Sequence, residues 1–231
     1  MKIIIATIKS WNIENADILK KSILSKNINV HIITQKEQLD FVSVKEYNPD
    51  YIFFPHWSWI IPKEIFSNFN CIVFHMTDLP FGRGGSPLQN LIVNGYRETK
   101  ISAIKVEEGL DEGDIYIKEG LSLDGSAQDI YKRASNIIFT KMIPYILENK
   151  PTPYKQTGDI VEFSRLKPKD GEILSSFSIK KIFDYIRMLD AEGYPNAFIQ
   201  FGKYKLKFKQ ADFMDSKITA VVEISNEESD L

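Results

Sequence analysis

Along the first part of the chain, short continuous apolar runs alternate with segments whose apolar residues recur at helical spacing. Lys2 to Ala6 is a continuous, β-branched apolar run, which predicts a strand buried on both faces of a parallel sheet. Apolar residues from Asn15 to Leu24 recur at helical spacing. Strand-like runs recur at Val30 to Ile33, Tyr51 to Pro55 and Cys71 to Phe74, with a short helix predicted at Pro62 to Phe69. The pattern predicts an α/β fold with an open, Rossmann-like, mostly parallel sheet.

In the middle of the chain, the pattern predicts a helix, two strands and a second helix. Their expected positions are Pro87 to Asn94, Ser102 to Val106, Asp114 to Glu119, and a helix that starts near Ser126. Ser126 with Asp129 resembles a capping box, which favours a helix start at that position. Pro144 falls inside the apolar pattern of this last helix and is expected to kink or end it.

A stiff connector, Lys150-Pro151-Thr152-Pro153, marks the predicted domain boundary. We expect a catalytic domain over residues 1–150 and a small C-terminal domain over residues 151–231. The second part predicts one helix near 179–186 and short strands near 197–201, 204–208 and 218–224, typical of a small barrel-like α+β unit. The acidic segment 226–231 is expected to fray.

Charge and cysteine content narrow the classes of partner and compartment. Among 231 residues, 29 Lys and Arg nearly balance 31 Asp and Glu, giving a net charge of −2. We therefore expect no nucleic-acid partner and no membrane partner. Cys71 is the only cysteine, so an internal disulfide is excluded. Without a signal-like or membrane-spanning apolar stretch, the chain is expected to be cytoplasmic.

In open α/β sheets, ligands bind at the carboxyl ends of the strands, so residues after the apolar runs are the first candidates. One such segment is His56, Trp57, Ser58, Trp59 and Ile60. Two tryptophans beside a histidine predict the wall of a pocket for a flat heterocycle. A hydrophobic lid over the core is an equally open alternative.

A second segment runs from His75 to Pro87 and is rich in glycine. The glycines of Phe81-Gly82-Arg83-Gly84-Gly85 let the backbone approach a ligand closely. Arg83 adds a guanidinium cation with several N–H donors. The spacing matches neither a dinucleotide-binding fingerprint nor a phosphate-binding loop.

A third segment is an acidic turn that contains Glu107, Glu108, Leu110 and Asp111. A solvated turn is its ordinary interpretation. The turn lacks a histidine at ligand spacing, so we expect no metal site.

Together these segments resemble the formyltransferase family that uses N10-formyltetrahydrofolate. His75, Leu79-Pro80, Arg83-Gly84 and Pro87-Leu88-Gln89 are similar to the family's histidine and the run that follows it. Asp111, 36 residues after His75, resembles the aspartate of the family's Gly-Leu-Asp-x-Gly-Asp turn. The resemblance covers residues 1 to about 150 and extends more loosely to an OB-like C-terminal domain.

The resemblance implies a role for each candidate residue. His75 and Asp111 are the implied catalytic residues. The implied folate-binding residues flank a pocket between two segments: Trp57, Ser58, Trp59, Ile60, Glu107, Glu108, Leu110 and Asp111. The segment Phe81 to Gly85 is the implied contact of the substrate that receives the formyl group. Lys9, with Trp11 and Asn12, is a candidate contact to the nucleotide end of that substrate, and a solvated loop is the favoured alternative.

One position departs from the family pattern. The family places an asparagine two residues before its histidine, where this chain has Val73. A valine cannot donate a hydrogen bond to the oxyanion formed during formyl transfer, and losing one such donor typically costs about 10² to 10³ in rate. Ser58 and His56 are candidate replacements.

The run around His75 and the His-Trp-Ser-Trp segment most resemble sugar N-formyltransferases. We therefore expect the acceptor to be a nucleotide-linked amino-dideoxy sugar, such as a UDP-4-amino-4,6-dideoxy sugar of pseudaminic-type glycan synthesis. Lys203, Lys205, Lys207 and Lys209 are interpreted as a solvated strand face. A formyltetrahydrofolate hydrolase and a non-catalytic folate- or nucleotide-binding relative are the alternatives.

Overall fold

The computed structural model describes residues 1–23 and 26–226. The predicted helix end at Leu24 lies outside these residues, as do residues 227–231 of the segment 226–231 that is predicted to fray. The strands are β1 (Lys2–Ala6), β2 (Asn29–Ile33), β3 (Tyr51–Phe54), β4 (Cys71–His75), β5 (Phe81–Gly84), β6 (Glu98–Lys105), β7 (Ile115–Ser122), β8 (Val161–Phe163), β9 (Ala197–Phe201), β10 (Tyr204–Met214) and β11 (Lys217–Asn226). The α-helices are α1 (Ser10–Ile23), α2 (Phe41–Tyr47), α3 (Lys63–Phe66), α4 (Pro87–Val93), α5 (Ala127–Ile137), α6 (Ile143–Asn149) and α7 (Ile179–Leu189).

The main sheet has six strands in the order β2-β1-β3-β4-β6-β7. Strands β2, β1, β3 and β4 are parallel, and β6 pairs antiparallel with β4. Strand β1 lies inside the sheet, and its residues Ile3 to Ala6 are at most 1% exposed because layers cover both faces. The predicted α/β fold with a mostly parallel sheet is confirmed.

Helix α5 begins where the capping pattern predicted. The backbone N–H of Ser126 donates to Asp129 Oδ2 at 3.0 Å, and the backbone N–H of Asp129 donates to Ser126 Oγ at 3.2 Å. A π-helical turn, Ile138–Met142, then leads into α6, and Pro144 lies in the first turn of α6. Pro144 has no N–H for an ordinary helical bond, and the wider turn accommodates it without ending the helical path.

The chain divides into two compact units. The first contains Met1–Gly84, Thr99–Leu121 and Lys132–Glu162, and the second contains Gly85–Glu98, Ser122–Tyr131 and the chain from Phe163 onward. In the second unit, β9, β10 and β11 form an antiparallel sheet with a bulge between Lys209 and Asp212. This sheet and α7 make the predicted small α+β part of the fold. The predicted domain boundary at residue 150 stays a prediction.

Over residues 1–23 and 26–226, no helix has both the length and the apolar character needed to cross a bilayer.

Candidate active site

His75 ends strand β4 and is the first element of the site. Cys71, Val73 and His75 alternate along β4, so all three side chains point to one face of the sheet. The His75 side chain is 8% exposed. Its Nε2 donates to the backbone oxygen of Gly82 at 2.7 Å, since a carbonyl oxygen can only accept. Its Nδ1 lies 3.5 Å from Asp111 Oδ2, so both ring nitrogens face oxygen acceptors.

Asp111 reaches His75 through a turn that runs along β4. Because β6 is antiparallel to β4, this turn leaves β6 near the beginning of β4, where the N–H of Val106 donates to the Cys71 oxygen at 2.9 Å. The turn then extends to the carboxyl end of β4, where Asp111 Oδ2 accepts a hydrogen bond from the Gly84 N–H at 2.9 Å. The structure therefore brings together the two implied catalytic residues.

A residue that sequence reasoning missed holds this turn. Gln156 Nε2 donates to the backbone oxygens of Asp111 at 2.7 Å and Gly113 at 2.9 Å. Gln156 Oε1 accepts from Arg83 Nε at 3.2 Å and from Arg83 Nη2 at 2.9 Å. No sequence signal singled out Gln156, because it follows the proline-rich connector taken as the domain boundary.

The Arg83 guanidinium binds to neighbouring side chains of the site. Besides its two bonds to Gln156, it forms an ion pair through Nη1 with Glu112 Oε1 at 3.1 Å, and its side chain is only 12% exposed. This arrangement links strand β5 to the Asp111 turn. Its predicted contact with the acceptor stays a prediction.

A cleft of about 440 Å³ opens between the segment after β3 and the Asp111 turn. All eight residues implied as folate-binding line it: Trp57, Ser58, Trp59, Ile60, Glu107, Glu108, Leu110 and Asp111. Ile61, Val106 and Gly109 also line it and belong to the two segments between which the folate is expected. Sequence reasoning did not assign a folate-binding role to the other lining residues: Phe66, Val73, Ile104, Lys105, Glu112 and Gly113. The lining combines apolar and aromatic side chains with charged ones, most of them carboxylates. Folate binding by the eight implied residues stays a prediction.

Val73 lies in the lining of the cleft, beside its strand partner Ile104. Of the two candidate replacements for the family's asparagine, Ser58 lines the cleft. His56 is absent from the described lining of the cleft and meets Trp11 edge-on, with ring centroids 6.1 Å apart. Ser58 is thus the candidate that shares the cleft with Val73.

His56 follows β3 with a left-handed φ of 57°. Burial, together with the nearby positive charge of Lys9, lowers the pKa of His56 to about 4, which keeps its ring neutral at pH 7. Lys9 follows β1, and its Nζ lies 5.8 Å from the Trp11 ring centroid. The predicted role of Lys9 in substrate binding stays a prediction.

Within the described part of the chain, no three His, Cys, Asp or Glu side chains form a group that could hold a metal ion. Cys71 is 1% exposed, and burial raises the pKa of its thiol to about 12. A thiol in that state is a poor nucleophile, so Cys71 acts as a packing residue.

Two family models match the chain. Residues 10–137 match the formyl transferase model, and residues 168–225 match the model of the methionyl-tRNA formyltransferase C-terminal domain. The first match spans more than half of the chain and contains His75 and Asp111.

Relatives with known sequences or structures agree with this assignment. A solved structure, methionyl-tRNA formyltransferase from Clostridium thermocellum, is 60% identical with a TM-score of 0.96 and covers 98% of this chain and 99% of its own. The methionyl-tRNA formyltransferase of Campylobacter lari is 30% identical over 87% of this chain and 66% of its own length. The chain spans about half to two thirds of the length of several curated relatives it matches.

A more distant solved structure shares the fold alone. HypX from Aquifex aeolicus, determined in complex with tetrahydrofolic acid, is 14% identical with a TM-score of 0.73 and covers 91% of this chain and 38% of its own.

These relatives correct two predictions. The predicted nucleotide-linked amino sugar acceptor and the predicted absence of a nucleic-acid partner were wrong, because both similar proteins are named for methionyl-tRNA. The motifs around His75 and Asp111 resemble the family as a whole and do not distinguish acceptors. Overall net charge also does not report how charge is distributed locally.

The predicted enzyme class is confirmed, and N10-formyltetrahydrofolate is the formyl donor of this class. The chain belongs to the formyltransferase family.

Proposed function

We propose that this protein transfers a formyl group from N10-formyltetrahydrofolate to the amino group of methionyl-tRNA. The observation that carries the proposal is the 60% identity to the Clostridium thermocellum methionyl-tRNA formyltransferase over nearly the full length of both chains. The cleft supports the same reaction, because it is large enough for a flat heterocycle and its lining includes Asp111, whose Oδ2 lies 3.5 Å from His75 Nδ1.

The proposed step breaks one bond and forms another. The amino nitrogen of the acceptor attacks the formyl carbon and loses a proton, the bond from the formyl carbon to N10 breaks, and N10 gains a proton. His75 would redirect its Nε2–H from the Gly82 oxygen to the formyl oxygen as negative charge develops there, and Asp111 would stabilise the positive charge on the ring and accept the amine proton directly or through water. Both side chains are largely buried, which strengthens these interactions.

A row of lysines on β10 favours an RNA acceptor. Lys205, Lys207 and Lys209 are spaced by two, so they share one face of the strand. The Lys205 Nζ lies 4.0 Å from the Phe198 ring centroid, a contact that fixes one ammonium on this face. Such a row suits the phosphate backbone of RNA. A cytoplasmic location, where charged tRNA is used, remains part of the proposal.

The test combines purified protein, N10-formyltetrahydrofolate and methionyl-tRNA. We expect formylmethionyl-tRNA to form in amounts equal to the tetrahydrofolate released. The matched control is the same tRNA without its methionine, which offers no α-amino group and should give no formylated product. Release of free formate without formylated tRNA, or no reaction, would contradict the proposal.

A further inference from the structure

The segment after α6 holds the strained turn of the catalytic aspartate. We propose that Gln156 is a positioning residue that fixes the Asp111 carboxylate against His75. The inference rests on the proposed function, since it assigns how the reacting pair is held. It stands on the hydrogen bonds of one amide side chain within the first compact unit.

The partners of Gln156 determine which way its amide points. A guanidinium only donates hydrogen bonds, so the atom that faces Arg83 is the amide oxygen. Backbone carbonyls only accept, so the atom that faces the Asp111 and Gly113 oxygens is the amide nitrogen. Both amide hydrogens and the oxygen are therefore used. No other uncharged side chain of this length offers two donors and an acceptor in this arrangement.

The backbone that Gln156 holds is strained. Asp111 has a φ of 55°, a left-handed conformation that a residue with a Cβ adopts at a cost of about 1 to 3 kcal/mol. A conformation of this kind persists only where surrounding contacts require it. Gln156 supplies two such contacts, at the carbonyl of Asp111 itself and at that of Gly113.

The segment that carries Gln156 is itself fixed. Tyr154 and Ile115 exchange two backbone hydrogen bonds, at 3.0 and 2.8 Å, and form an isolated antiparallel bridge. The bridge places Gln156 two residues beyond a fixed point on the chain. The neighbouring Lys155 also pairs with Asp114 at 3.0 Å, but its side chain is 82% exposed, so this pair contributes little.

The position of the Asp111 carboxylate depends on the Gln156 side-chain amide. That carboxylate touches His75 Nδ1 at 3.5 Å and accepts from the Gly84 N–H at 2.9 Å. Relaxation of the Asp111 backbone toward an ordinary φ would turn the carboxylate away from both groups. A misplacement of about 1 Å at a reacting group can lower the rate about 10²-fold.

Gln156→Glu is the decisive variant. It keeps the side-chain length and an oxygen for Arg83, but it places a second oxygen against the Asp111 and Gly113 carbonyls, which repel it. The matched control is Lys155→Met, which removes the exposed ion pair next to it. Gln156→Ala is the second variant, since it removes the amide without adding repulsion.

Four quantities are measured on each variant: kcat for formyl transfer, the KM for the folate donor, tetrahydrofolate affinity from tryptophan fluorescence, and hydrogen exchange of the Gly84 amide. For Gln156→Glu we expect kcat to fall about 10- to 100-fold, with KM and tetrahydrofolate affinity within about threefold and Gly84 exchange at least about tenfold faster. Lys155→Met should match the wild type in all four.

The outcomes separate this inference from the proposed function. Unchanged kcat or unchanged Gly84 exchange in both Gln156 variants would overturn the inference. Parallel losses of kcat and tetrahydrofolate affinity would also overturn it, because they indicate general support of the whole site rather than positioning of Asp111. If the wild type does not formylate methionyl-tRNA, the proposed function fails. Gly84 exchange and tetrahydrofolate affinity would then still decide whether Gln156 holds Asp111.

Discussion

At the residue scale, the proposed reaction depends on His75 and Asp111, whose side chains are 8% and 14% exposed. In such a position a carboxylate is stabilised only by the groups that face it, which here are the His75 ring and the Gly84 N–H. A substitution at Asp111 can therefore remove its negative charge and still keep its ability to accept a hydrogen bond.

Asp111→Asn removes the charge and keeps the shape. The asparagine oxygen can still accept from the Gly84 N–H, so we expect folding to be retained while kcat falls by about 10³, because the His75 ring loses its anionic partner. His75→Ala should show a loss of similar size. Steady-state kinetics with a thermal melt checks this expectation, and Asp17→Asn, on the exposed face of α1, is the control. Near wild-type turnover in either site variant would contradict the roles of His75 and Asp111.

His56 makes stability depend on pH. Its pKa is lowered to about 4 in the folded protein, from an ordinary 6.5, so only the unfolded chain takes up this proton between those values. Stability is full above about pH 6.5 and decreases as the pH falls toward 4, with a loss from His56 of about 2 kcal/mol between pH 7.5 and 5.0. Urea denaturation at these two pH values measures the loss. His56→Gln should remove most of it, and an equal loss in that variant would exclude His56 as its source.

At the scale of elements, the turn from Val106 to Gly113 is the part of the site with the tightest steric constraint. It runs the length of β4 and returns to the sheet at Gly113, where a Cβ would lie 1.7 Å from the Lys105 backbone oxygen. Only glycine fits at that point, because the obstacle is backbone and cannot rotate away. The sequence Gly-Leu-Asp-Glu-Gly-Asp therefore has a steric reason for its second glycine.

Gly113→Ala should push the turn away from β6. We expect the free energy of unfolding to fall by at least about 2 kcal/mol and tetrahydrofolate affinity to fall with it, since this turn lines the cleft. Denaturant melts and fluorescence titration measure the two effects. Gly120→Ala in β7 is the control, because its Cβ would meet nothing within 4 Å. Equal behaviour of the two variants would show that the turn has room at Gly113.

Sequence patterns predicted the buried elements better than the exposed ones. β1 has the predicted bounds because its apolar run coincides with burial, and β9 has them although only Ala197 and Phe198 of its five residues are buried. Helix α2 was missed since only Val44 of its seven residues is buried, which leaves no periodic signal. The partnership of His75 and Asp111 was predictable from their motifs. Gln156 was not, because its role is set by backbone carbonyls that are distant in sequence.

For the whole molecule, the distribution of charge matters more than its sum. The net charge of −2 led to the prediction of no nucleic-acid partner, which was wrong. Lys207 and Lys209 share one face of β10, although Glu223 of β11 stands opposite Lys207. A chain of nearly neutral net charge can thus present a local row of cations to RNA.

Replacing Lys207 and Lys209 together by alanine should weaken tRNA binding in a salt-dependent way. Each lysine that contacts a phosphate lowers the slope of log affinity against log salt by about one, so we expect a decrease of about two. Filter binding at several salt concentrations gives this slope. The double replacement of Lys20 and Lys21, exposed on α1, is the control. An unchanged slope in the β10 variant would exclude this strand from the RNA contact.

The reactivity of Cys71 can report the rate at which the main sheet opens. Its thiol lies under the same sheet face as Val73 and His75, and its raised pKa of about 12 leaves almost no thiolate in the native protein. An aromatic disulfide reagent can modify it only after the strands around it separate. At saturating reagent, the rate of colour release would then equal the rate at which this sheet opens. A dye attached to one introduced surface cysteine would, for the same reason, leave the native thiol unlabelled.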